Sequence, residues 1–300
     1  MAQKFNKPQL SIASQIKLLE SRGLTIGNAS TAEHYLQHVS YYRLRAYAMY
    51  FEVDPRPSVH GFVAGTTFEQ VIALYDFDRQ LRLTLLDAIE RIEIAARGSW
   101  AHHMAMAYGP HGYLNQALYK SREMLGGNRR TLQQEVNRSR DDFILHYKAT
   151  YNSPRLPPVW MVAEILSLGQ LSKWQDSLAK RADVVAIARP FQLDHRPYLA
   201  FIHHLATIRN ICAHHGRLWN KRFTVTMALP RQPADLQETL NPHRDRNLYN
   251  SLVVTLHLMR IVSPRSGWKQ RLVRLLESHP VPDMVAMGFP ADWRQRPLWR

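Results

Sequence analysis

Between residues 68 and 107 the apolar side chains fall at Phe68, Val71, Ile72, Tyr75, Leu81, Leu85, Ile89, Ile92 and Ala96, mostly in steps of three and four, with no proline among them. That period writes one long amphipathic helix, since a strand would turn alternate residues to opposite faces. A helix of this length has to bury its stripe against other elements, and the natural partners are more helices. Gly98 is a place where it can bend, and Glu93 and Arg97, four apart, can pair along it.

The remaining segments keep the helical period. Ser11 is placed to cap a helix through Ser21, with Ile12, Ile16 and Leu19 on one face and Gly23 just past its end. A second helix is expected from Thr31 to about Phe51, carrying Leu36, Val39, Tyr42 and Tyr47, until Asp54-Pro55-Arg56-Pro57 breaks it. Gly109-Pro110 ends the long helix, and Gly126-Gly127 is expected to split the next segment, leaving a polar helix from about Arg129 to Tyr151. Pro154, Pro157 and Pro158 make a linker. Short helices are expected over 159–166, 170–180 and 183–189, and then a helix opening at Pro197 and stopped by Gly216. Alternating Phe223, Val225 and Met227 suggest one short strand or hairpin within 222–229, before helices over 246–262 and 267–278 and a proline-rich tail. The expected fold class is all-α, a helical bundle with added N-terminal and C-terminal helices. The domains are expected as an N-terminal helical segment, 1–60, and a main helical domain, 61–300.

The helix from Pro197 carries the chemistry. Tyr198, Ile202, Leu205, Arg209 and Cys212 follow one another by four, three, four and three, so a guanidinium stands on the stripe that should be buried. Residues 195–234 contain no Asp or Glu, yet hold His195, Arg196, His203, His204, Arg209, His214, His215, Arg217, Lys221, Arg222 and Arg231. Arg209 must find its counter-charge elsewhere in the fold, in another chain, or on a phosphate. A structural pairing with Glu90, Glu93 or Glu164 is the plain alternative; phosphate is the reading favoured here.

Charge points the same way. The chain has 39 Lys and Arg against 24 Asp and Glu, a formal net charge of +15, which favours a polyanionic partner such as nucleic acid over a membrane surface. Cys212 is the one cysteine, so no intramolecular disulfide exists, and on an apolar stripe it acts as a small hydrophobe rather than a nucleophile. Met1 to Pro8 has no apolar signal-peptide core, and no run reaches the ~18 apolar residues of a membrane span. A cytoplasmic chain is expected, with no membrane partner.

Arg209-Asn210-Ile211-Cys212-Ala213-His214-His215-Gly216-Arg217-Leu218-Trp219-Asn220 resembles the motif of Abi-type abortive-infection proteins, within the HEPN superfamily. Three further blocks stand in order. Tyr41-Tyr42-Arg43-Leu44-Arg45-Ala46-Tyr47 is similar to the family's N-terminal motif. Tyr75 to Arg79 through Glu90, Glu93 and Arg97 is similar to its central helix, and Trp160-Met161, Glu164 and Ser167 to Ser172 to a third block. The blocks cover residues 35–225. The resemblance implies a HEPN-type bundle and a metal-independent endoribonuclease with a toxin-like role in defence against phage. It implies a site shared across a homodimer, with RNA as substrate and a regulatory RNA or antitoxin as a further partner.

The residue types suit that chemistry. Cleaving RNA through its own 2′-hydroxyl needs proton transfer, for which histidine is fitted near neutral pH. It also needs fixed positive charge on the phosphate, which a guanidinium supplies through paired hydrogen bonds. Arg209, Asn210, His214 and His215 are therefore the candidate catalytic residues, with His214 chosen over His215 on the family's spacing. No cofactor and no metal are expected, since a two-metal nuclease needs acidic ligands that this window lacks. His34 and His38 are four apart without the Glu of a zinc helix, and His102-His103 and His203-His204 lack identifiable further ligands. Arg217, Lys221, Arg222, Tyr42 and Arg43 are candidate RNA contacts; at helical spacing Tyr42 also fits a core-and-rim position. Arg129, Arg130, Arg138 and Arg140 read as a solvated face, with phosphate tracking as the sharper option.

Helix geometry sets these groups apart. On a straight helix His214 lies about 140° around from Arg209 and His215 about 120° the other way. Either the helix deforms before Gly216 or two copies of the motif combine across a two-fold contact. The apolar contacts of such a dimer are expected from the 198–212 stripe and the 68–97 helix. The alternative functions are a catalytically silent RNA-binding or phage-sensing module and a purely structural helical protein.

Overall fold

The computed structural model describes residues 8–54, 60–279 and 283–300. The expected break at 55–57, residues 1–7 and the prolines at 280 and 282 lie outside them. The described residues hold thirteen α-helices and no strand, only isolated bridges, so the fold is all-α. Two compact units are present, residues 1–81 with 274–282 and residues 82–273 with 283–300. The division falls inside the long helix, whereas the sequence places the boundary after residue 60.

The first unit contains α1 (Ile12–Ser21), α2 (Ala29–His38), α3 (Tyr41–Ala48) and the start of α4 (Phe68–Tyr108). Ser11 caps α1 by accepting from the Ser14 amide, as its position before the apolar run requires. The single helix expected from Thr31 to Phe51 is two helices. Ser40 takes a left-handed φ of 77° between them, and its hydroxyl caps α3. That break re-aims the face: Leu44 and Tyr47 are buried while Tyr42 is 89% exposed, so Tyr42 is neither core nor rim. Tyr47 donates to Asp78 at 2.8 Å, which satisfies a fully buried carboxylate.

In the second unit α4 runs on through Gly98 to Tyr108, with Glu93 and Arg97 paired at 2.6 Å as their spacing predicts. Then come α5 (Arg122–Arg138), α6 (Asp142–Thr150), α7 (Val159–Ile165), α8 (Leu168–Asp176), α9 (Arg181–Ala188) and α10 (His195–Ala213). The last helices in the chain are α11 (Ala234–Thr239), α12 (Leu248–Val262) and α13 (Trp268–Ser278). Two expectations around α5 fail. Gly126-Gly127 does not split it, because Leu125, Leu132 and Val136 bury one continuous face across the glycines; the break comes instead at Ser139–Asp141. The strand expected within 222–229 is irregular chain, its Phe223 and Met227 buried as separate anchors with no partner strand among the described residues.

The packing that positions the motif is α8 against α10. Ser167 and Gln170 form a reciprocal capping box that fixes where α8 begins. The two helices meet at the first turn of α8, where a Cβ added at Gly169 would lie in ordinary contact, 3.9 Å from Ala206. Every residue from Leu248 to Met259 of α12 is buried, which marks it as a core helix wrapped on all sides. The C-terminal segment, expected as a proline-rich tail, closes this core with Tyr249, Phe289, Trp293 and Trp299 in mutual ring contact.

Candidate functional site

Helix α10 delivers the motif. It opens at His195, two residues before the expected Pro197, which occupies the third position, where its missing N–H has no helical acceptor to lose. Tyr198, Phe201, Ile202, Leu205, Ile208 and Cys212 are 0–2% exposed, so the apolar stripe is spent inside the chain's own core. This overturns the expectation that the stripe forms a dimer interface. Cys212 is buried, as its place on the stripe implies.

Arg209 stands on that stripe but is only half-buried, because its long stem carries the head out to the rim. There its Nη1 donates to Asn210 Oδ1 at 3.5 Å. No carboxylate lies within ion-pair distance of it among the described residues. Glu93, one structural partner considered, is taken by Arg97. The described residues of its own chain thus supply Arg209 with no counter-charge.

How the helix ends resolves the geometric difficulty in part. The last helical residue is Ala213, and His214 is the C-cap at φ −91° and ψ 14°. His215 takes a left-handed φ of 58°. The His215 amide then donates to Cys212 O at 3.1 Å and the Gly216 amide to Ile211 O at 2.8 Å. That pair of bonds is the Schellman closure, with histidine in the position that glycine usually holds. Gly216, expected to stop the helix, follows the left-handed residue instead of being it. A Cβ there would approach Ile211 Cγ2 to 3.2 Å, so closeness rather than φ calls for glycine. The helix ends at the histidines: the His214 amide still donates to Asn210 O at 2.9 Å as in a helix, and His215 leaves the helical path. Both are exposed.

The chain beyond is pinned from below. Leu218 and Trp219 are fully buried, while Lys221 and Arg222 are exposed and Arg217 is half-buried. The Phe223 amide donates to Arg246 O at 2.9 Å, and its ring meets His204 edge-on at 4.8 Å. His204 is a structural histidine. Its Nδ1 lies 2.7 Å from Val225 O, a pure acceptor, so Nδ1 carries the proton and Nε2 accepts from Ser251 Oγ at 2.8 Å. Burial holds its pKa below the ordinary histidine value and keeps it neutral.

Sequence reasoning missed two of these supports. Arg82, 5% exposed, donates from Nη1 to Gly216 O at 3.4 Å, directly after the left-handed histidine. Ser251 orients His204. Neither leaves a local signal, since they lie 134 and 47 residues from their partners.

His34 and His38 are exposed on α2, their rings 4.6 Å apart. His103 and Tyr108 both bond the buried Asp183, at 3.0 and 2.8 Å, and burial pushes the Tyr108 hydroxyl up to about 12. No group of three His, Cys, Asp or Glu with metal-holding geometry occurs among the described residues. No helix among them is long and apolar enough to cross a membrane. Tyr42 and Arg43 stand on α3 in the first unit, the other candidate residues at the end of α10 in the second.

The family model described as Abi-like protein matches residues 34–220, from α2 to the end of the motif. No curated protein and no solved structure matches the chain.

Proposed function

Because this chain belongs to the Abi-like protein family, whose name ties it to abortive-infection defence, we propose that it is a HEPN-type, metal-independent endoribonuclease of that defence, acting in the cytoplasm. The observation that carries the reading is the end of α10. A half-buried guanidinium with no carboxylate in reach among the described residues stands one turn before two exposed histidines, the second held in a left-handed conformation. Non-glycine residues in that region cost free energy and gather at working sites.

In the proposed reaction one imidazole takes the proton of the ribose 2′-hydroxyl, and the freed 2′-oxygen attacks the adjacent phosphorus. The bond to the 5′-oxygen breaks, and a protonated imidazole returns a proton to that leaving oxygen. The products are a 2′,3′-cyclic phosphate and a 5′-hydroxyl. Arg209 binds the non-bridging oxygens as charge builds on them, and Asn210, already bonded to Arg209, orients it. His214 serves as acid or base with His215 in support. Arg217, Lys221 and Arg222 extend the positive surface, and Tyr42 and Arg43 offer a stacking and phosphate contact on α3. A homodimer completes the site, drawing apolar contacts from outward residues of α4 such as Leu83 and Ile94, 52% and 58% exposed.

Incubation of the purified protein with RNA in EDTA tests this. Cleavage is expected to persist and to leave cyclic-phosphate ends; activity lost to chelator and restored by magnesium or zinc refutes the mechanism. Arg209→Ala and His214→Ala are each expected to abolish cleavage, His215→Ala to weaken it less, and a mixture of the first two to regain activity through the shared site. Retained RNA affinity with no cleavage by the parent protein would identify a silent binding module instead.

A further inference from the structure

Helix α5 breaks two local rules at one place. Gly126 and Gly127 sit in its interior, where glycine is the poorest helix former after proline. A Cβ added at either would meet nothing within 4 Å, so no tertiary packing requires them. Arg122 occupies the first helical position, where the helix dipole disfavours a cation. Such local conflicts gather where a sequence answers to function rather than to folding.

Two of these residues, Arg122 and Gly126, line one feature. Arg122, Gly126, Arg129 and Arg130 are spaced by four, three and one, on a flank of the buried Leu125–Leu132–Val136 face. With Gln116 and Glu123 they surround a cavity of about 500 Å³ open to solvent. All three arginines are exposed, and none has a carboxylate within ion-pair distance among the described residues. Arg138, further along, is paired with Glu135, and Gln170 holds Glu135 in turn. The glycine supplies the gap between the arginines: any side chain at 126 would project into it.

We infer that this cavity is an accessory site for the phosphate backbone of single-stranded RNA, separate from the end of α10. From Arg122 to Arg130 is about 12 Å along the helix, which suits successive phosphates better than a lone one. No aromatic residue lines the cavity, so nothing there stacks a base, and the grip is on backbone without regard to sequence. α8 packs against both α5 and α10, which makes one continuous scaffold for the two sites. The choice of RNA rests on the ribonuclease reading; the anion site itself does not.

The test uses the full chain and a fluorescent 2′-O-methyl oligonucleotide, which keeps the phosphates but cannot be cleaved, so binding is read apart from catalysis. Replacing Arg122, Arg129 and Arg130 together by Ala is expected to weaken binding at least tenfold. The slope of log affinity against log salt should become shallower by about 2, three contacts at about 0.7 each. Arg138→Ala should change neither. Gly126→Leu keeps every charge and favours the helix, so it should melt no lower than the parent yet bind at least fivefold more weakly. Unchanged affinity and salt slope in the triple variant, or unchanged affinity in Gly126→Leu, overturns the site. Arginine-dependent capture of ATP with no effect on the oligonucleotide overturns the RNA assignment. Arginine-dependent binding by a protein that never cleaves RNA sinks the ribonuclease reading and leaves this one standing.

Discussion

Glycine and alanine at positions 214 and 215 should differ in opposite senses. His215 has φ 58° and His214 φ −91°. A left-handed backbone costs an L residue about 1–2 kcal/mol, and glycine escapes that cost. Glycine also frees the unfolded chain, which destabilises the fold by about 0.4–1 kcal/mol relative to alanine. At 215 the first effect outweighs the second, so His215→Gly should be more stable than His215→Ala, by about 0.5–1 kcal/mol net. At 214 only the second operates, and His214→Ala should be the more stable of its pair. Both members of each pair lack the imidazole, so its contacts cancel. The unfolded-chain effect cancels between the pairs, leaving a double difference of about 1–2 kcal/mol, the left-handed strain itself. Urea unfolding of the four variants, followed by tryptophan fluorescence, measures it. A His215→Gly protein no more stable than His215→Ala would refute the left-handed Schellman closure at this histidine.

Acid should loosen the second unit through His204 and His257, both buried and both held below the ordinary histidine pKa by that burial. The unfolded chain takes up these protons first. Their contribution is therefore complete above about pH 6.5 and is lost as pH falls toward the depressed folded values, by up to about 1.4 kcal/mol per pH unit for each. Urea midpoints between pH 7.5 and 5 should fall accordingly, and a flat profile contradicts the assignment. Phe223→Ala removes a buried ring that covers His204 and should cost about 3 kcal/mol; a loss under about 1 kcal/mol would mean the segment after the motif is not anchored there.

The all-α class, the extent of α4, the Ser11 cap and the Glu93–Arg97 pair were legible in the sequence, because each depends on residues within a turn or two of one another. The carboxylate-free motif was legible for the same reason. Tertiary structure decided what local rules leave open. A buried face continuous across Gly126-Gly127 held α5 together against propensity, while Ser40 divided a segment whose apolar spacing ran on. Which residue of the Ala213–Gly216 run would turn left-handed could not be read, since glycine was present and the fold assigned that conformation to His215. Closeness to Ile211 claimed the glycine one position later. Whether Arg209 would be buried and paired was likewise undetermined. Periodicity names a face, but only the neighbours packed on that face decide where a long side chain emerges and whether a counter-charge is waiting for it.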